Sequence, residues 1–171
     1  MATVQQEMEL PAASIRPMRE ADLPVVAALE RSAYQFPWTE GIFRDCLRVG
    51  YVCRVIELGG AGEAARVIGY GILSVGAGEA HILNLCIAGE LRCRGFGRLM
   101  LSHLIERAQG FGARDAFLEV RPSNTIAIRL YQSMGFEQIG VRRGYYQATA
   151  GREDAVVLKL ELKSGRNTAP R

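Results

Sequence analysis

The chain has only two lysines, Lys159 and Lys163, and two histidines, His81 and His103. Neither lysine is near a glycine-rich segment. This excludes a G-x-x-x-x-G-K-[ST] phosphate loop, whose lysine must reach the phosphates. The histidines lie far apart without metal-like companions, so a surface or core role is expected of them and no metal site. Cys46, Cys53, Cys86 and Cys93 form no C-x-x-C pair. Three of them sit in apolar segments, and buried reduced thiols are expected rather than disulfides or a zinc site. No window approaches the roughly 18 apolar residues of a membrane span. The opening MATVQQEMELPAAS lacks a basic stretch followed by an apolar one. The protein is therefore expected to be cytoplasmic, neither exported nor inserted. Protein-kinase signatures, internal repeats and low-complexity tracts are also missing.

The chain's 171 residues, 49% of them hydrophobic, suit one domain with a sizeable core. The net charge of +3 comes from Lys163, Arg166 and Arg171, because residues 163–171 contain no acid. The remainder balances at zero, which gives little support for a nucleic-acid surface. Residues 1–13 and 163–171 are polar or patternless and are expected to be flexible tails around a domain spanning 14–162.

Hydrophobic periodicity predicts a short strand at 14–17, a helix at 22–34 and a second helix to Arg48 capped by Thr39. YVCRVIEL, VIGYGILSV and EAHILNLCIA read as three strands, the first two joined by GGAGEAA. Leu99, Met100, Leu101, Leu104, Ile105 and Ala108 give a helical stripe from Gly97 to Gly110. The strand ARDAFLEV follows, then a helix from Asn124 that stops at Gly135. FEQIGVRRGYYQ and EDAVVLKLEL form a final hairpin around ATAGR.

The segment RCRGFGRLML follows a strand and opens a helix. It lacks the third glycine of a dinucleotide fingerprint, where Met100 stands. Two readings remain: a tight turn with solvated arginines, or an anion site. In the second, free helix amides act with Arg92, Arg94 and Arg98 while Gly95 and Gly97 leave the backbone accessible. Glu119, on a mostly apolar strand, is either ion-paired, with Arg121 or another arginine, or kept for chemistry. Tyr131 lies two helical turns after Asn124 on the same face. It is either an ordinary core tyrosine or a functional one. Trp38, Tyr145 and Tyr146 are placed equally by groove-shaping and by packing.

Taken together, LNLCIAGELRCRGFGRLML and FLEVRPSNTIAIRLYQSMGF resemble the GNAT superfamily of acetyl-coenzyme A dependent N-acetyltransferases. Arg92, Gly95 and Gly97 match its R/Q-x-x-G-x-G/A loop. Asn124, Ala127, Leu130, Tyr131, Gly135 and Phe136 match its N-x-x-A-x-x-L-Y-x-x-x-G-F helix. FPWTE, LEVRPSN and RRGYYQATAGREDAVVL further resemble the bacterial ribosomal-protein-alanine N-acetyltransferases of the RimI type. AGEL, where the family more often has an acidic residue and a proline, GGAGEAA and the tails depart from that pattern.

The resemblance implies an α/β GNAT fold: a mixed, mostly antiparallel twisted sheet with helices on both faces. It implies acetyl-CoA as donor and the N-terminal amine of a ribosomal protein, an alanine, as acceptor, with no nucleic acid or membrane involved. It assigns the pyrophosphate to the backbone of Arg92, Cys93, Arg94, Gly95, Phe96 and Gly97. Leu85, Cys86 and Ile87 would pair with the pantetheine arm, and Asn124 would contact the cofactor. Glu119 becomes the general base, and Tyr131 the acid that protonates the leaving sulfur. A covalent acetyl-Cys86 route is disfavoured, since no histidine base accompanies it. Acetylation of small-molecule amines and a non-catalytic CoA-binding module are the competing readings.

Overall fold

The computed structural model describes residues 12–59 and 64–163. The expected tails fall almost wholly outside this range, as does the centre of GGAGEAA. Among the described residues, seven strands and four α-helices run as β1 (Ala13–Pro17), α1 (Leu23–Ala33), α2 (Glu40–Arg48), β2 (Val52–Leu58), β3 (Arg66–Gly76) and β4 (Glu79–Ile87). They continue as α3 (Phe96–Gly110), β5 (Asp115–Val120), α4 (Thr125–Ser133), β6 (Glu137–Ala148) and β7 (Gly151–Glu161). One sheet contains every strand in the order β1-β2-β3-β4-β5-β7-β6. All neighbours are antiparallel except β4 and β5, which the α3 crossover joins in parallel.

Local chemistry accounts for these elements. Pro24 sits in the first turn of α1, where a missing amide costs nothing, and Leu23, Val26 and Ala27 form its buried stripe. Glu30 continues that stripe as a buried acid. The Thr39 hydroxyl accepts from the Ile42 amide at 3.3 Å and starts α2. Strand β5 alternates, burying Ala116, Leu118 and Val120, whereas β3 is buried along most of its length. This is the pattern of a central strand covered on both faces.

The core lies in two layers. Helices α1 and α2 cover one face, with Leu23, Val26 and Phe43 against Val55, Tyr70 and Ile72. Helices α3 and α4 cover the other, with Met100, Leu104 and Tyr131 against Ile56, Ile68 and Leu118. Leu99, expected in the α3 stripe, is 43% exposed instead. Phe96, Met100, Leu101, Leu104 and Ala108 already fill the three- and four-residue spacing that faces the sheet, so Leu99 turns outward.

Candidate active site

The parallel pair that α3 connects does not stay paired. Its ladder runs from Glu79–Asp115 to Ile82–Leu118 and stops, although β4 continues to Ile87 and β5 to Val120. The cause is local to β4. Leu73 pairs with Ile82 and Ile72 with Asn84, so Leu83 is an extra residue. Such a bulge bends the strand and increases its twist. Meanwhile β5 follows β7, with Glu119 opposite Val157 and Val120 opposite Val156. Between the diverging strands opens a cleft of about 1080 Å³.

At one end of the cleft is the glycine elbow. Gly95 has φ of 89° and Cys93 φ of 59°, so the chain turns twice through the left-handed region before α3 begins. Thr39 and Asn124 cap α2 and α4 with side chains, whereas the start of α3 has neither a side-chain cap nor an acid in its first turn. Its amides and positive dipole end are left for an anion, with Arg92 and Arg98 beside them along the cleft. Gly97 has a further reason to lack a side chain: a Cβ there would lie 3.3 Å from Leu130 of α4. The residues fit a diphosphate.

Most of the expected site residues meet here. Leu85, Cys86, Ile87, Arg92, Cys93, Gly95, Gly97, Glu119, Asn124 and Tyr131 all line the cleft. Phe96 does not: its side chain is 1% exposed in the core, which leaves only its main chain at the elbow. Arg94 is exposed and is not among the lining residues. Asn124 caps α4 with Oδ1, accepting from the Ala127 amide at 3.3 Å, and this leaves its Nδ2 as a donor. Arg92 donates from Nε to the Ile87 carbonyl at 3.1 Å.

Glu119 is paired with Arg142 of β6 at 3.2 Å and keeps 19% of its side chain exposed. Arg121 is not its partner. Arg121 binds Glu153 at 3.1 Å, and Glu153 also accepts from the Ser123 hydroxyl at 2.8 Å. This ties the loop before α4 to β7. Tyr131 is 8% exposed, its ring lies tilted against that of Phe136 with centroids 5.9 Å apart, and its hydroxyl has no hydrogen-bond partner among the described residues. Burial pushes its phenol up to about 12, so it holds its proton across the physiological range. The Cys86 thiol is also pushed up by burial, which makes it a poor nucleophile. Tyr146 and Trp38 line the cleft, while Tyr145 is 45% exposed and packs on Tyr146 and Arg142.

Three residues of the cleft wall escape motif reading: Glu30, Tyr34 and Asn84. The Glu30 carboxylate accepts from the Trp38 amide at 2.9 Å, from Asn84 Nδ2 at 3.1 Å and from the Tyr70 hydroxyl. One signal was available, an acid inside the apolar stripe of α1. Among the described residues no cluster of three or more His, Cys, Asp or Glu side chains could hold a metal ion. No described helix is long and apolar enough to cross a membrane.

A mixed sheet split between its parallel strands, with an uncapped glycine elbow at the opening, is the architecture of an acetyltransferase. Residues 14–136 match the Acetyltransferase (GNAT) family, and the chain belongs to it. It is 34% identical over 149 residues to the [Ribosomal protein bS18]-alanine N-acetyltransferase of Escherichia coli strain K12, covering 87% of this chain and 97% of that protein. The corresponding Haemophilus ducreyi protein is 33% identical over 144 residues, 84% and 96% of the two chains. Among solved structures, the ribosomal-protein-S18-alanine N-acetyltransferase from Escherichia coli superposes with a TM-score of 0.79 at 31% identity, covering 94% of this chain and 100% of that one.

Proposed function

We propose that this protein transfers the acetyl group of acetyl-CoA to the N-terminal alanine of a ribosomal protein, in a ternary complex and in the cytoplasm. The observation that carries the reading is the cleft itself, which joins an uncapped helix start, an open strand edge, Glu119 and Tyr131 in one space. The elbow from Arg92 to Gly97 would hold the diphosphate, and the free edge around Leu85 to Ile87 would hold the pantetheine arm. Asn124 Nδ2 would contact the cofactor. Likeness over nearly the whole of the bS18-alanine N-acetyltransferases supports the acceptor.

An α-amine must lose a proton to attack, and Glu119 would take it through water. The amine nitrogen bonds to the thioester carbon, the carbon–sulfur bond breaks, the departing sulfur takes a proton from Tyr131, and the nitrogen sheds its second proton, which restores the phenol. A side chain as exposed as Arg142, at 58%, can yield to an acceptor at the cleft mouth. The test is incubation with acetyl-CoA and a panel of N-terminal peptides and polyamines, followed by intact mass. An acetyl gain on an alanine-initiated peptide is expected. Acetylation of polyamines alone would reject the acceptor, and no turnover despite tight CoA binding would favour a non-catalytic module.

A further inference from the structure

Two polar side chains at the C-terminal end of α1 reach β4: Glu30 from the last turn, and Tyr34 from the extended residue that follows the helix. The Tyr34 hydroxyl donates to the Leu85 carbonyl at 3.0 Å. Glu30, only 2% exposed, grips Asn84, the residue just before it in β4, together with Tyr70 of β3 and the Trp38 amide. It accepts three hydrogen bonds, all from neutral donors. Glu119 and Glu153, the other acids of the cleft wall, have arginine partners, whereas Glu30 has no cationic partner among the described residues.

This grip falls where β4 has lost its neighbour. A strand edge without a ladder must have its polar groups satisfied in some other way. Along a strand the N–H and C=O of one residue point to the same side, and the next residue's point to the other. The Ala88 amide donates to the Ile68 carbonyl of β3, so Ala88 and Cys86 face β3 while Leu85 and Ile87 face the gap. The gap-facing carbonyls are both occupied, that of Leu85 by Tyr34 and that of Ile87 by Arg92. The gap-facing amides of the same two residues remain for a ligand. The edge of β4 is thereby biased toward donors.

We propose that Glu30 and Tyr34 are positioning residues for acetyl transfer. They clamp the opened half of β4 so that the Leu85 and Ile87 amides project into the cleft and one of them polarises the thioester carbonyl of the donor. Hydrogen bonding to the Leu85 carbonyl also adds a hold on the gap side of a bulged segment that is paired only on its β3 side. The proposal rests on the acetyl-transfer reading and adds two residues outside the family's motifs to its machinery.

The test uses acetyl-CoA labelled with carbon-13 at the thioester carbonyl, bound to the full chain without acceptor, and isotope-edited infrared spectroscopy. In the wild type the carbonyl stretch is expected below its value in free acetyl-CoA. In Tyr34→Phe, which keeps the ring and removes only the donor, the displacement should shrink. The kcat should fall roughly tenfold while the Kd of CoA stays within about threefold. Glu30→Gln should do the same, and Glu30→Asp should restore part of both readouts. An unchanged stretch and kcat in Tyr34→Phe would overturn the proposal. So would a loss of CoA affinity that accounts for the whole kinetic defect with the stretch unmoved. The infrared comparison needs no acceptor, so a wild type that acetylates no amine would sink the transfer reading and leave this one separately readable.

Discussion

Glu119 and Tyr131 carry the proposed chemistry, and their surroundings set how each should respond to substitution. Glu119→Gln keeps the shape of the side chain and removes the base. It should lower kcat by roughly 10²-fold between about pH 6 and pH 9 and leave CoA affinity intact. Steady-state kinetics across that range, with calorimetric titration of CoA, checks this. Tyr131→Phe should slow the chemical step by roughly 10- to 100-fold with little change in cofactor binding, as single-turnover rates would report. Because the wild-type phenol is protonated up to about 12, its acid form is present throughout that pH window and should add no downturn of its own. Both residues were legible in the sequence because they sit inside motifs of fixed spacing. Glu30 was not, since its partners Tyr70 and Asn84 lie 40 and 54 positions away and only folding brings them to it.

At the scale of elements, the junction of β1, β2 and the start of α1 is held by one arginine. Arg16 donates to both Asp22 carboxylate oxygens at 2.7 and 2.8 Å and to Glu57 at 2.8 Å. Asp22 also accepts from the Arg19 amide at 2.7 Å. Hydrogen bonding from Arg16, with the Arg19 amide adding to it, holds the Asp22 carboxyl below its ordinary value. A carboxylate depressed in the folded state stabilises above its unfolded pKa, about 3.9, and that stability is lost as pH falls through the folded value. Asp22→Asn should therefore cost about 2 kcal/mol at neutral pH, and the gap to wild type should close below roughly pH 4. Denaturant midpoints at pH 7 and in acid measure both. Element type and order were readable from periodicity and caps: Thr39 and Asn124 each start the helix expected of them. The bulge at Leu83 was not readable. EAHILNLCIA runs on as a strand with nothing in its composition to mark where β4 leaves β5, and the register is decided by pairing with β3.

For the molecule as a whole, the cleft between β4 and β5 offers room for a ligand. A ligand that binds only the folded chain stabilises it by mass action, by about 2.7 kcal/mol at a hundredfold excess over Kd. At roughly 2–4 °C per kcal/mol for a chain of this size, acetyl-CoA should raise Tm by about 5–10 °C. A thermal melt with and without the donor checks this, and no shift would remove the cofactor assignment. The family, the run of strands and helices, the elbow at Arg92 to Gly97 and the two proposed proton-transfer residues could be read from the order of amino acids. Each of these is written in local spacing, which the helix and strand periods convert directly into faces and ends. Folding alone pairs Glu119 with Arg142, turns Phe96 into the core, and brings Glu30 and Tyr34 onto the open half of β4. Those contacts join side chains far apart along the chain, and no local period encodes them.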